Sequence, residues 1–125
     1  MRTKICTSIE QSKILIELGI DRKTSDMYYW CGEDLRIGGH KAQNDEFDIS
    51  AWSLSALFKM MPFQIPEDNK RYRFRQWKRY NSQGETYCFE YVSDIGTTLY
   101  ETYAWNDPID SAFEMVCWLK ENNKI

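Results

Sequence analysis

From Arg71 to Trp105 apolar and polar side chains alternate with a period of two, broken only at "NSQG" (81–84) and "SDIG" (93–96). That period marks strands with one buried face. Each break ends in glycine, as tight turns between antiparallel strands do. The pattern predicts a three-stranded meander over about 71–80, 85–92 and 97–104. A four-residue "NSQG" loop sets Tyr80 opposite Glu85, Arg75 opposite Glu90, Phe74 opposite Tyr91 and Gln76 opposite Phe89. One face then carries Tyr72, Phe74, Tyr87, Phe89 and Tyr91. The other carries Arg71, Arg73, Arg75, Trp77, Arg79, Cys88 and Glu90. The first is the core face, since a slip of one residue would bury the arginines. The third strand admits two registers, one turning Leu99, Tyr103 and Trp105 inward, the other Tyr100 and Ala104.

Helical signals flank this region. "TSIE" reads as a capping box of Thr7 and Glu10, opening a helix from Ser8 to Leu18 with Ile14, Leu15 and Leu18 as its buried stripe. Gly19 takes the left-handed position after it, and Ile20 folds back onto Leu15. "MYYW" and "LRI" predict a small hairpin around "CGED", and 38–48 reads as a polar, acidic surface loop. "ISAWSLSALFKMMP" predicts a second helix, capped by Ser50, stapled by Ile49 and Leu54, and stopped by Pro62. A third begins at Asp107 and Pro108 and buries Ile109, Ala112, Phe113, Val116 and Leu119. Met115 and Trp118 widen that stripe towards a second packing partner. The expected architecture is α+β: a single two-layer domain over 1–125, its antiparallel sheet a meander plus a short hairpin, packed with about three helices.

A chain of 125 residues is long enough to bury a core without disulfides or metals. Its N-terminus lacks the apolar segment of a signal peptide, and no apolar run approaches a membrane span, so a cytoplasmic location is expected. Cys6, Cys31, Cys88 and Cys117 are scattered, with no CxxC spacing; they read as reduced thiols, and no metal or other cofactor is expected.

The electrostatic pattern is uneven. Net charge is −3, yet Lys70, Arg71, Arg73, Arg75, Lys78 and Arg79 crowd one segment without an acid among them. Removing those six from the chain's 16 cations leaves ten against all 19 acids. Arg71, Arg73, Arg75, Trp77 and Arg79 form the candidate interaction surface. In one reading they meet phosphates and stack a base, as single-strand binders do. In the other they are the outward face of an antiparallel strand, offset by Glu90 and Glu101 on neighbouring strands. The second is preferred, because the RNA-recognition signature of glycines and aromatics is absent.

Catalytic patterns are lacking. His40 is the one histidine; a thiol enzyme would need it beside Cys31, and no flanking motif supports that pair. Gly38 and Gly39 lack phosphate-loop spacing and read as a turn. The preferred expectation is a non-enzymatic accessory protein acting through protein contacts, with itself or a partner, anchored by outward aromatics such as Trp77 and Trp118. The alternative is a nucleic-acid-binding factor using the basic-aromatic strand at 70–80.

The order "CTSIEQSKILIELGI", "TSDMYYW", "AWSLSALFKMMP", "DPIDSAFEMVCWLKEN" resembles a group of small proteins of gut Bacteroidetes found beside prophage and conjugative-element genes. The resemblance spans nearly the full chain and carries no catalytic residues. It implies a cytoplasmic accessory protein of mobile-element type.

Overall fold

The computed structural model describes residues 4–82 and 84–125. The fold is α+β, with three α-helices and two antiparallel sheets of three and four strands, one of them curled into a half-barrel. The chain packs as two compact units, Met1–Met60 and Met61–Ile125.

In the first unit, helix α1 (Ile9–Glu17) precedes strands β1 (Met27–Trp30), β2 (Asp34–Ile37) and β3 (Ile49–Ala51), followed by helix α2 (Leu54–Met60). The hairpin of β1 and β2 gains β3 on the other side of β1, giving the order β2-β1-β3. This corrects the expected second helix: its first residues extend the sheet, and the helix opens later. Ser53, not Ser50, caps it, accepting from the Ala56 amide at 3.2 Å. Ser53 is itself fixed by Asp26, whose carboxylate takes its amide (2.9 Å) and its hydroxyl. Helix α1 is likewise shifted by one. Ser8 and Gln11 form the capping box, which frees Thr7 for the interior. Its Oγ1 lies 2.8 Å from Ser12 Oγ and accepts from the Trp52 amide at 3.1 Å. Ile14 is exposed, leaving Ser12 and Leu15 as the buried positions of α1. Gly19 ends the helix at φ +90°, and the Ile20 amide reaches back to the Leu15 carbonyl at 3.0 Å.

The second unit holds β4 (Gln64–Glu67), β5 (Lys70–Asn81), β6 (Gly84–Ser93), β7 (Thr98–Glu101) and helix α3 (Pro108–Glu121), with the sheet in sequence order. The meander thus gains a fourth strand, joined to β5 through Asp68 and Asn69, both at positive φ as a two-residue hairpin turn requires. The register of β5 on β6 is the expected one: Phe74 faces Tyr91, Arg75 Glu90, Gln76 Phe89 and Tyr80 Glu85. Asn81 pairs with Gly84; Gln83 of the predicted turn lies outside the described residues. A bulge between Tyr91 and Val92 sets β7 so that Tyr100 faces Tyr91. This turns Tyr100 inward, as in the second of the two registers, and its ring stacks on Trp118 of α3 at 4.5 Å; Ala104, the other residue of that register, lies beyond β7 and is exposed. Trp118 is therefore a packing residue of the α3–β7 seam and not an outward anchor.

Helix α3 covers the aromatic face of β6, where Phe89 and Tyr91 are almost wholly buried. Phe74 completes that layer, tilted against both rings at 5.7 and 5.6 Å. Such tilted contacts suit the ring quadrupoles better than face-to-face stacking. Asp107 caps α3 through the Ile109 amide at 2.8 Å, with Pro108 in the first turn, as expected.

Candidate interaction surface

The period of two turns the odd-numbered residues of β5 away from the aromatic layer, and Trp77 stands at the middle of that face. Its indole N–H donates to Glu90 Oε1 at 2.7 Å, across the strand pair. Arg75 Nε donates to the same oxygen at 2.9 Å. The Arg75 and Arg79 guanidinium carbons lie 4.5 and 5.2 Å from the Trp77 ring centroid. The ring is thus held on its edge by a carboxylate and contacted by two delocalised cations. It remains 36% exposed.

Burial explains the arrangement. The Glu90 side chain is 6% exposed while that of Arg75 is 54% exposed. A carboxylate withdrawn from water needs a countercharge and donors, and here one oxygen receives both. Arg75 keeps much of its hydration, so the pair is a half-buried anchor.

Two further cations of β5 are engaged by carboxylates. Arg73 approaches Asp94 at 4.0 Å. Lys78 Nζ lies 3.3 Å from Glu85, which also accepts from the hydroxyls of Tyr80 and Tyr87 at 2.7 Å each. These donors hold the Glu85 carboxyl below the usual carboxylate range, the Tyr80 hydroxyl contributing most. Exposed pairs of this kind contribute little stability, but they offset charge. Arg71, exposed near the β4–β5 turn, and Arg79, packed on Trp77, are the arginines of the strand lying outside these ion pairs. The strand is a network of cations, carboxylates and rings, not an open basic row.

Glu101 faces Glu90 from β7 rather than an arginine. It accepts from the Cys88 thiol at 3.3 Å. Burial first, and then that hydrogen bond, push the Cys88 thiol up to about 11, which keeps it protonated and poor as a nucleophile.

Sequence reasoning missed Glu114. From α3 it accepts from the Tyr100 hydroxyl, the Tyr103 amide (3.0 Å) and the Trp105 indole (2.8 Å), tying β7 and the following loop to the helix. Nothing in its local pattern marks it, because its donors come from another element.

His40 and Cys31 have separate partners. His40 Nε2 sits 3.0 Å from both Asp45 oxygens, and the Cys31 amide donates to Asp48 at 2.9 Å. Gly38 is small for a packing reason: a Cβ there would come within 3.1 Å of Tyr28 and of Ala42. The acidic stretch at 38–48 is organised around Arg22, which donates to Ser50 and to the Asp48 carbonyl at 2.8 Å each. Among the described residues no cluster of side chains could hold a metal ion, and no helix is long and apolar enough to cross a membrane.

No family model, curated protein or solved structure matches the chain.

Proposed function

We propose that the protein is a non-enzymatic accessory factor that docks another protein through the outward face of β5, with Trp77 as its anchor. One observation carries this reading: a partly exposed tryptophan bonded to a buried carboxylate and contacted by two arginines. Tryptophan and arginine dominate binding hot spots. A ring already held in place loses little freedom on binding, which removes part of the usual cost of association. The resemblance to mobile-element-associated proteins supports an accessory role without adding a site.

Nucleic-acid binding is the second reading, supported by Arg79 stacked on Trp77 and by the six cations of one strand. The carboxylates of Glu85, Glu90 and Asp94, which pair with Lys78, Arg75 and Arg73, weigh against it.

Sedimentation velocity at micromolar concentration, with pull-down from source-cell extract, compares wild type with Trp77→Ala. The docking reading expects a self-associated species or a recovered protein that Trp77→Ala loses while remaining folded. A strict monomer with no Trp77-dependent partner contradicts it.

A further inference from the structure

The strand that carries Trp77 also has a free edge. Strand β4 pairs with β5 only from Lys70 to Arg73, and one further bond joins the Phe74 amide to the Phe63 carbonyl at 3.0 Å. Strand β5 continues to Asn81, paired with β6 throughout. Because the Phe74 amide points towards β4, so by alternation do those of Gln76, Lys78 and Tyr80. All three residues are exposed, and among the described residues no backbone group pairs with them on that side. Arg75, Trp77 and Arg79 direct their backbone groups to β6 instead, and the Arg79 carbonyl also accepts from Thr86 Oγ1. An unpaired edge of this kind is a template for an added strand.

We propose that β5 between Gln76 and Tyr80 binds an extended acidic segment of a partner protein as an added strand beside β4. This rests on the docking reading above and names the partner's chemistry. The charge of β5 selects the occupant: Arg79 beside Trp77 lies outside the strand's ion pairs, and Arg75, though bonded to Glu90, is 54% exposed and keeps donors for a second carboxylate. An added strand sets one residue beside Trp77 and its neighbours two positions away beside Arg75 and Arg79. An aliphatic residue flanked at that spacing by two carboxylates therefore fits, the acids meeting the guanidinium groups and the aliphatic residue the indole. A second copy of β5 would oppose cations to cations and is disfavoured.

The test uses a fluorescent synthetic peptide with the core Glu-Thr-Ile-Thr-Glu, whose threonines fall opposite Gln76 and Lys78. A second peptide is N-methylated on both threonines, removing the donors aimed at β5. Gln76→Pro removes one outward donor of the protein without touching the β6 ladder; circular dichroism checks its fold. The expected result is saturable binding by the first peptide. It should weaken several-fold with Gln76→Pro, which removes one bond, and about tenfold or more with N-methylation, which removes two. In amide hydrogen exchange, Gln76, Lys78 and Tyr80 should exchange fast alone and slow with peptide, while Arg75, Trp77 and Arg79 are slow in both. Peptide binding that needs Trp77 but ignores N-methylation overturns strand addition and leaves the docking reading standing. So does absence of peptide binding alongside Trp77-dependent association. A dimer formed through this edge, or binding of a single-stranded oligonucleotide in place of the peptide, overturns the acidic occupant.

Discussion

A carboxylate leaves water only where a countercharge and donors replace its hydration. Glu90 meets that condition through Arg75 and Trp77 together, so the residue that orients the indole is also one that cannot be removed quietly. The contrast between the two faces of the hairpin is as sharp. Phe89 is 1% exposed, and Phe89→Ala should cost about 3–5 kcal/mol by urea unfolding. Arg73, exposed and 4.0 Å from Asp94, should cost no more than about 0.5 kcal/mol when replaced by alanine. Reversed magnitudes would place the faces the other way round. The thiols give a second check at this scale. All four are free; Cys31 is exposed and Cys117 is half-buried, while Cys6 and Cys88 are buried. Burial, then the charges of Glu121 and Glu114, push the Cys117 thiol up to about 12. A maleimide should label Cys31 first and fast in the native protein and all four thiols in denaturant without reductant. The alternation that exposed this register was legible because a strand's period is local. The bond from Trp77 to Glu90 was not, since it depends on a rotamer across the strand pair and not on spacing.

Helix ends and strand starts are set by competition between neighbouring polar side chains, and there the sequence pattern slips. Thr7, Ser8, Ser50 and Ser53 all have cap chemistry. The interior claims Thr7, which bonds Ser12 and Trp52. It also claims Ser50, whose hydroxyl donates to Gln43 and accepts from Arg22. Ser8 and Ser53 are left as caps. The residues from 38 to 48 read as a loose loop because their partners, Arg22 and Cys31, are distant in sequence. Asp48 closes that segment by accepting from the Asn44 and Cys31 amides, and these bonds, led by Asn44, hold its carboxyl below the ordinary 3.8. A carboxyl depressed by folding contributes stability above its unfolded value and loses it as pH falls through the folded one. Unfolding free energy measured from about pH 5 down to pH 2 should therefore decline less steeply in Asp48→Asn than in wild type. Equal slopes would show that these bonds do not persist in solution.

Across the whole chain the charge is divided: β5 is cationic while the remainder is strongly acidic. Such a chain repels a phosphate backbone at long range and offers it a partly neutralised strand at contact. No binding to duplex DNA is expected at physiological salt, and at most weak binding to single strands. Fluorescence anisotropy with labelled oligonucleotides checks this across a salt series; submicromolar, salt-sensitive affinity for single-stranded DNA or RNA would favour the nucleic-acid reading instead. The fold class and the pairing of the central hairpin were legible in the residue pattern. The free edge of β5 was not, because it depends on where β4 begins: Phe63 makes the bond to Phe74 nearest that edge, and the carbonyl of Pro62 before it is taken by Tyr91 at 2.7 Å. The central claim is tested most directly by a photo-cross-linking residue at exposed Arg73, on the same face as Trp77, illuminated in cells expressing the protein with Trp77 intact or as Trp77→Ala, with the same probe at exposed Lys59 as control. The account predicts a discrete protein adduct at position 73 that is lost in Trp77→Ala and absent from position 59. No adduct at 73 with Trp77 intact, or one that nuclease rather than protease removes, would contradict it.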